Sequence, residues 1–139
     1  MSKPDFSGTW KFNADRSSLQ IPAPDSTRFT IEHREPHFRL SRTHVVGGSS
    51  DTFSIELTTD GRDVVQDRRG LQIRARLYWE GETLVFESIL TRDEEQATNV
   101  VRYSLAEHGD TFVAEERFSS ERQSYENLWV LDRQQSAEG

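Results

Sequence analysis

Apolar residues recur at every second position, in short runs broken by turn-forming residues, and this pattern constrains the fold more than any other feature. The first run sets the example. Phe6, Gly8, Trp10 and Phe12 fall on one face; Ser7, Thr9, Lys11 and Asn13 fall on the other. Such alternation is the mark of a strand with one buried side. No segment of useful length repeats at the helical period, so an all-β chain is expected. Glycine within a strand is costly unless something approaches closely there. Gly8, two residues before Trp10, therefore suggests an indole plugging one end of a closed sheet.

About ten runs follow one another. Ala14 to Ser26 is rich in Ser, Pro and Asp, and Pro22 and Pro24 break any helix, so it reads as a rim loop with at most one helical turn at Ser17–Leu19. Strands over Thr27 to His33 and Phe38 to Val45 flank Arg34-Glu35-Pro36-His37. Pairing His33 with Phe38 sets Ile31 opposite Leu40, Phe29 opposite Arg42, and Glu32 opposite Arg39, a favourable charge pair. Gly47-Gly48-Ser49-Ser50 reads as a flexible link before Thr52 to Thr59. Asp60-Gly61 is a hairpin signal leading into a short strand to Asp67. Arg68-Arg69 reads as a solvated turn. Leu71 to Trp79 pairs back with Thr83 to Leu90, bringing Glu87 near Arg74 or Arg76. Thr91 to Ala97 reads as a charged loop tip. Asn99 to Leu105 and Thr111 to Phe118 place Arg102 opposite Glu115. The last strand is Tyr125 to Arg133, and residues 134–139 read as a frayed tail. One domain spans 1–139, with an ordered core of about 5–133.

The chain has 139 residues, enough for a core without disulfides or metal. It has no cysteine, which excludes thiolate zinc sites, disulfides and cysteine nucleophiles. A formal charge of -7 argues against a nucleic-acid surface and against docking on anionic membranes. The opening Met1-Ser2-Lys3-Pro4-Asp5 has no apolar run behind it, so a cytoplasmic protein is expected.

An antiparallel sheet of about ten strands exposes two edges unless it closes or folds over; closure removes them and lets a barrel of this size hold one small ligand, the alternative being a flat two-layer sandwich with a packed core. The expected architecture is a single antiparallel up-and-down β-barrel of about 8–10 strands with little or no helix. Phe6-Ser7-Gly8-Thr9-Trp10-Lys11 resembles the opening of the calycin superfamily, which includes lipocalins and fatty-acid-binding proteins. The chain also resembles small bacterial lipocalin-like proteins through Gly8-Thr9-Trp10-Lys11, Asp60-Gly61, Trp79-Glu80-Gly81, Leu84-Val85 and the final strand. The resemblance implies a floor built from Gly8, Trp10 and a stacked arginine, Arg133. It also marks departures. The stretch 14–26 is too short and proline-rich for the helical lid of fatty-acid-binding proteins. Trp129 and Leu131 stand where their last strand carries a carboxylate-gripping Arg and Tyr.

Strand parity turns a mostly apolar face inward with a few polar groups: His33, Arg42, His44, Gln66, Ser88, Tyr103, Glu116 and Asn127. An apolar pocket with a few convergent polar groups is the usual form of a small-molecule site. Arg42, His44, Tyr103, Glu116 and Trp129 are the candidate ligand-binding residues. A buried guanidinium needs a partner: a ligand carboxylate, an internal pair with Glu116, or solvent at the rim. The four histidines lack acidic neighbours at ligand spacing, so no metal and no cofactor are expected. No Gly-x-Ser-x-Gly elbow or phosphate loop appears. The expectation is therefore binding of a small hydrophobic or amphipathic ligand, with or without a carboxylate. The alternatives are an isomerase- or hydratase-type enzyme using Glu116, Tyr103 or a histidine, and an interaction module with a fully packed barrel.

Overall fold

The computed structural model describes residues 3–134. Eleven strands form one antiparallel sheet: β1 (Gly8–Phe12), β2 (Ser18–Leu19), β3 (Ser26–Arg34), β4 (His37–Val46), β5 (Ser49–Thr58), β6 (Val64–Arg68), β7 (Leu71–Glu80), β8 (Thr83–Arg92), β9 (Glu95–Ala106), β10 (Thr111–Ser120) and β11 (Ser124–Gln134). Their order is β5-β4-β3-β1-β11-β10-β9-β8-β7-β6, with the two-residue β2 lying on β11. The first strand pairs with the last, Trp10 opposite Arg133 and Phe12 opposite Leu131, so the sheet curls into a barrel. Two short 3-10 turns, Ala14–Arg16 and Glu107–Gly109, are the helical content among the described residues.

The register follows the alternation. Phe29 lies opposite Arg42, Ile31 opposite Leu40, and Glu32 opposite Arg39. Arg76 faces Glu87 and binds it at 2.6 Å. Arg102 lies opposite Glu115 as expected, but its ion pair, at 3.5 Å, is with Glu80.

Four local expectations are corrected. Asp60-Gly61 does not close a hairpin between β5 and β6. Gly61 N–H donates to Leu77 O at 2.9 Å and Asp60 bridges Tyr78, so the chain crosses to β7 instead. Side chains span the resulting seam: Gln66 Nε2 donates to Ser54 O at 3.1 Å and Arg68 Nη2 to Thr52 O at 2.8 Å. Gly47-Gly48 is a tight turn rather than a flexible link. Both glycines have positive φ, +57° and +82°, as a two-residue hairpin turn with matching twist requires. Asp93 and Glu94, at φ 50° and 67°, likewise make the supposed loop tip a two-residue turn between full-length strands. The helical turn falls on Ala14–Arg16, because Asn13 Oδ1 caps the Arg16 N–H at 3.2 Å. Ser18 and Leu19 then pair with Leu128 and Asn127. Gln134 belongs to β11, and the rest of the expected tail lies outside the described residues.

The two ends of the barrel differ. Phe6, Trp10, Phe38, Leu77, Leu84 and Phe112 are fully buried and close one end. Trp10 Nε1–H donates to Phe6 O at 3.0 Å, and the Arg133 guanidinium lies 4.2 Å above the Trp10 ring centre. Arg133 also donates to Ser7 O at 3.0 Å and Gly109 O at 2.9 Å. Gly8 has φ +137°, and a Cβ there would sit 2.7 Å from Arg133 Nη1. The bare glycine is the space in which the arginine lies.

Candidate ligand cavity

Above the packed end the interior opens into a cavity of about 560 Å³. Its wall is mostly apolar, from Phe29, Leu40, Phe53, Ile73, Phe86 and Val101, and the strap Ile21-Pro22-Ala23-Pro24 borders it. The barrel is therefore hollow, not fully packed. The strap is irregular because two prolines remove donors and fix the backbone.

All five candidate binding residues line this one space. Alternation delivers Arg42 and His44 from β4, Tyr103 from β9, Glu116 from β10 and Trp129 from β11. Of the three partners open to Arg42, the internal pair with Glu116 is not made: among the described residues no carboxylate lies within 4.0 Å of the half-buried guanidinium, and its Nε is buried without a hydrogen-bond partner. The guanidinium lies 5.2 Å from the Phe53 ring centre. Burial lowers the Arg42 pKa, while the nearby Tyr103, Glu116 and Asp51 pull the other way. Tyr103 is 4% exposed, and burial pushes its phenol well above the usual range. Its hydroxyl finds no acceptor among the described residues.

Glu116 is held by neutral donors. Oε1 accepts from Asn127 Nδ2 at 2.8 Å and Trp129 Nε1 at 2.9 Å; Oε2 accepts from Asn99 Nδ2 at 3.0 Å. Asn127 is held in turn, since its Oδ1 accepts from the Gln20 N–H at 2.7 Å. His44 Nδ1 is 2.6 Å from the buried Thr27 hydroxyl, and the ring lies 5.8 Å from Trp129. Burial, and then the Arg42 charge, lower the His44 pKa to about 4, so the imidazole is neutral at pH 7.

Other inward polar residues go elsewhere. His33 lies at the closed end, stacked on Phe6; Nδ1 accepts from the Phe6 N–H at 3.2 Å and Nε2 donates to Glu35 at 2.9 Å. Burial alone would raise the Glu35 pKa, but hydrogen bonds from Thr59, His33 and Trp79 hold it below the usual range. Gln66 bridges the seam. Arg68, expected as a solvated turn, lines the cavity. It binds Asp51 at 2.7 Å, and its guanidinium lies 5.6 Å from the Phe53 ring centre. Alternation from Gln66 could have placed Arg68 on the inner face, but the adjacent Arg69-Gly70 turn hid that parity. Asn99 was legible only as a strand start. Its role depends on Glu116, which it meets across strands.

No protein-family model matches the sequence, and no curated protein sequence matches it either. Solved structures do match. Secretory abundant heat soluble protein 4 from Ramazzottius varieornatus superposes with TM-score 0.65 at 12% identity, over 97% of this chain and 99% of that one. Zebrafish ileal bile acid-binding protein complexed with cholic acid matches with TM-score 0.57 at 12% identity, over 93% and 98%. The Schistosoma mansoni fatty acid binding protein in complex with arachidonic acid matches with TM-score 0.56 at 10% identity, over 97% and 100%. The chain has a calycin fold. At these identities the likeness concerns the barrel alone. Within it, this calycin barrel has a proline strap of 3-10 turn and short strand between β1 and β3.

Proposed function

We propose that the barrel binds a small hydrophobic or amphipathic molecule bearing a carboxylate, which Arg42 receives with help from the Tyr103 hydroxyl. The observation that carries this reading is the uncompensated Arg42 guanidinium beside a mostly apolar cavity of about 560 Å³. An isolated charge taken out of water is costly, and a ligand carboxylate offers two acceptors in the geometry a guanidinium prefers. Two proteins of similar fold are complexed with cholic acid and arachidonic acid, both amphipathic acids, which agrees with this ligand class. The acid–base alternative has less support, because Glu116 is engaged by Asn99, Asn127 and Trp129 rather than by His44 or Tyr103. We extend the proposal to a relationship with small bacterial lipocalin-like proteins and to a cytoplasmic setting; cell fractionation tests the latter.

Calorimetric titration with oleate and with its methyl ester tests the function. The acid binds, and the ester binds at least tenfold more weakly, since a hydrogen bond to a charged group contributes about 1.5–3 kcal/mol. Arg42→Met weakens the acid to the level of the ester. An absence of heat and of thermal shift with oleate, cholate and other carboxylate amphiphiles would refute the proposal.

A further inference from the structure

Glu116 sets a second requirement on the ligand, one that rests on the proposed binding at Arg42. A carboxylate offers about four acceptor sites. Here three are taken, two on Oε1 and one on Oε2. The three donors come from the flanking strands: Asn99 on β9, Asn127 and Trp129 on β11. The remaining site, on Oε2, belongs to a side chain that lines the cavity.

The surrounding groups do not supply a fourth donor. Asn127 is held in orientation by the Gln20 N–H on its Oδ1. Asn99 gives its amide hydrogen to Glu116, and its own Oδ1 is buried without a partner among the described residues. Ser88 Oγ–H donates to Asn99 O at 3.3 Å. The Tyr103 and Tyr125 hydroxyls line the same cavity and feel the Glu116 charge, but neither makes a hydrogen bond to it, so one Oε2 site is left without a donor. No cation among the described residues lies within 4.0 Å of Glu116, and the ligand anion at Arg42 would add a second negative charge to the same space. An apolar chain laid on Glu116 would strip the open site of solvent and return nothing.

We propose that the ligand carries a hydrogen-bond donor, a hydroxyl in the simplest case, that reaches Glu116 while its carboxylate sits at Arg42, so that the cavity selects hydroxylated acids over plain ones. Glu116 is then a specificity-determining residue, and Asn99, Asn127 and Trp129 position it.

Dodecanoate and its monohydroxy isomers, with the hydroxyl near the carboxylate, at mid-chain or at the far end, make a matched set for calorimetry. The expected result is at least one isomer binding wild type about tenfold more tightly than dodecanoate, the gain from one satisfied hydrogen bond to a charged acceptor. Glu116→Leu abolishes that preference and Glu116→Gln reduces it, with folding checked by circular dichroism. Three results overturn the inference: equal affinities across the set in wild type, a preference unchanged in both Glu116 variants, or plain dodecanoate binding as tightly with uptake of one proton. The wild-type comparison decides even if Glu116→Leu does not fold. Failure of the underlying function looks different, because then no member of the set binds or Arg42→Met leaves every affinity unchanged.

Discussion

Gly8→Ala isolates the physical reason for the glycine before the floor tryptophan. Two costs add. The first is conformational: φ is +137°, a region that residues with a side chain rarely adopt, and holding one there costs about 1–3 kcal/mol. The second is steric. The new Cβ would lie 2.7 Å from Arg133 Nη1. That atom ends a flexible, exposed side chain, so it swings away rather than straining the barrel. What is lost is its placement over Trp10 and its bonds to Ser7 O and Gly109 O. An exposed cation–π contact contributes about 0.5–1 kcal/mol, and the two hydrogen bonds are exposed and exchange largely for water, so the arginine contributes about 1 kcal/mol in all. The expected total is about 2–4 kcal/mol, read as a lower urea midpoint at unchanged slope. A double-mutant cycle separates the terms. Arg133→Ala alone costs about 1 kcal/mol, and in that background Gly8→Ala retains only its backbone cost. The two single effects therefore exceed the double by about 1 kcal/mol. The reasoning fails if Gly8→Ala costs under about 0.5 kcal/mol, the range of an ordinary surface change, or if the two effects simply add.

Other outcomes follow from the same geometry. Trp10→Ala removes a fully buried side chain and costs about 3–5 kcal/mol in urea melts, with ligand affinity per folded molecule unchanged. Arg42→Met stabilises the ligand-free protein by at most about 1 kcal/mol, because it removes a half-buried guanidinium whose Nε lacks a partner, while it weakens carboxylate binding; a lower melting temperature contradicts this. His44 is about 4 in the folded state against about 6.5 unfolded, so the unfolded chain binds more protons between these values. Its contribution is complete above pH 6.5 and is lost as the pH falls towards 4. The gap corresponds to at most about 3 kcal/mol, and solvent screening at a half-buried ring reduces it to roughly 1–2 kcal/mol. Urea melts of wild type and His44→Asn at pH 7.5 and 4.5 should show a steeper loss for wild type. Arg68→Ala removes the ion pair to Asp51 and the bond to Thr52 O across the β5–β6 seam, costing about 0.5–1.5 kcal/mol. Amide exchange should quicken at Asp51–Phe53 and Gln66–Arg68, and unchanged protection there would show that the seam holds by other means.

Much of the fold was legible because a strand's period is two and most neighbours in this sheet are neighbours in sequence. Phe29 opposite Arg42 and Arg76 opposite Glu87 follow from counting back across a short turn. The same parity put Arg42, Tyr103, Glu116 and Trp129 on the inner face. The missed hairpin at Asp60-Gly61 has a non-local cause. Asp60-Gly61 has the composition of a hairpin turn, yet whether the strands beside it pair depends on how the whole sheet curls, and here closure leaves the seam at that point.

The sequence by itself determined an all-β barrel, its floor of Gly8 and Trp10, and a mostly apolar inner face with a handful of charges, because alternation and turn chemistry are local. Only the tertiary structure decided how those charges are distributed. Glu116 takes neutral donors from Asn99, Asn127 and Trp129, Asp51 takes Arg68 across the seam, and Arg42 is left without a carboxylate. A hydrogen bond requires donor and acceptor within about 3.2 Å, and an ion pair gains most at contact. Which groups meet is therefore set by barrel closure and by packing between distant strands, neither of which any single run of residues encodes.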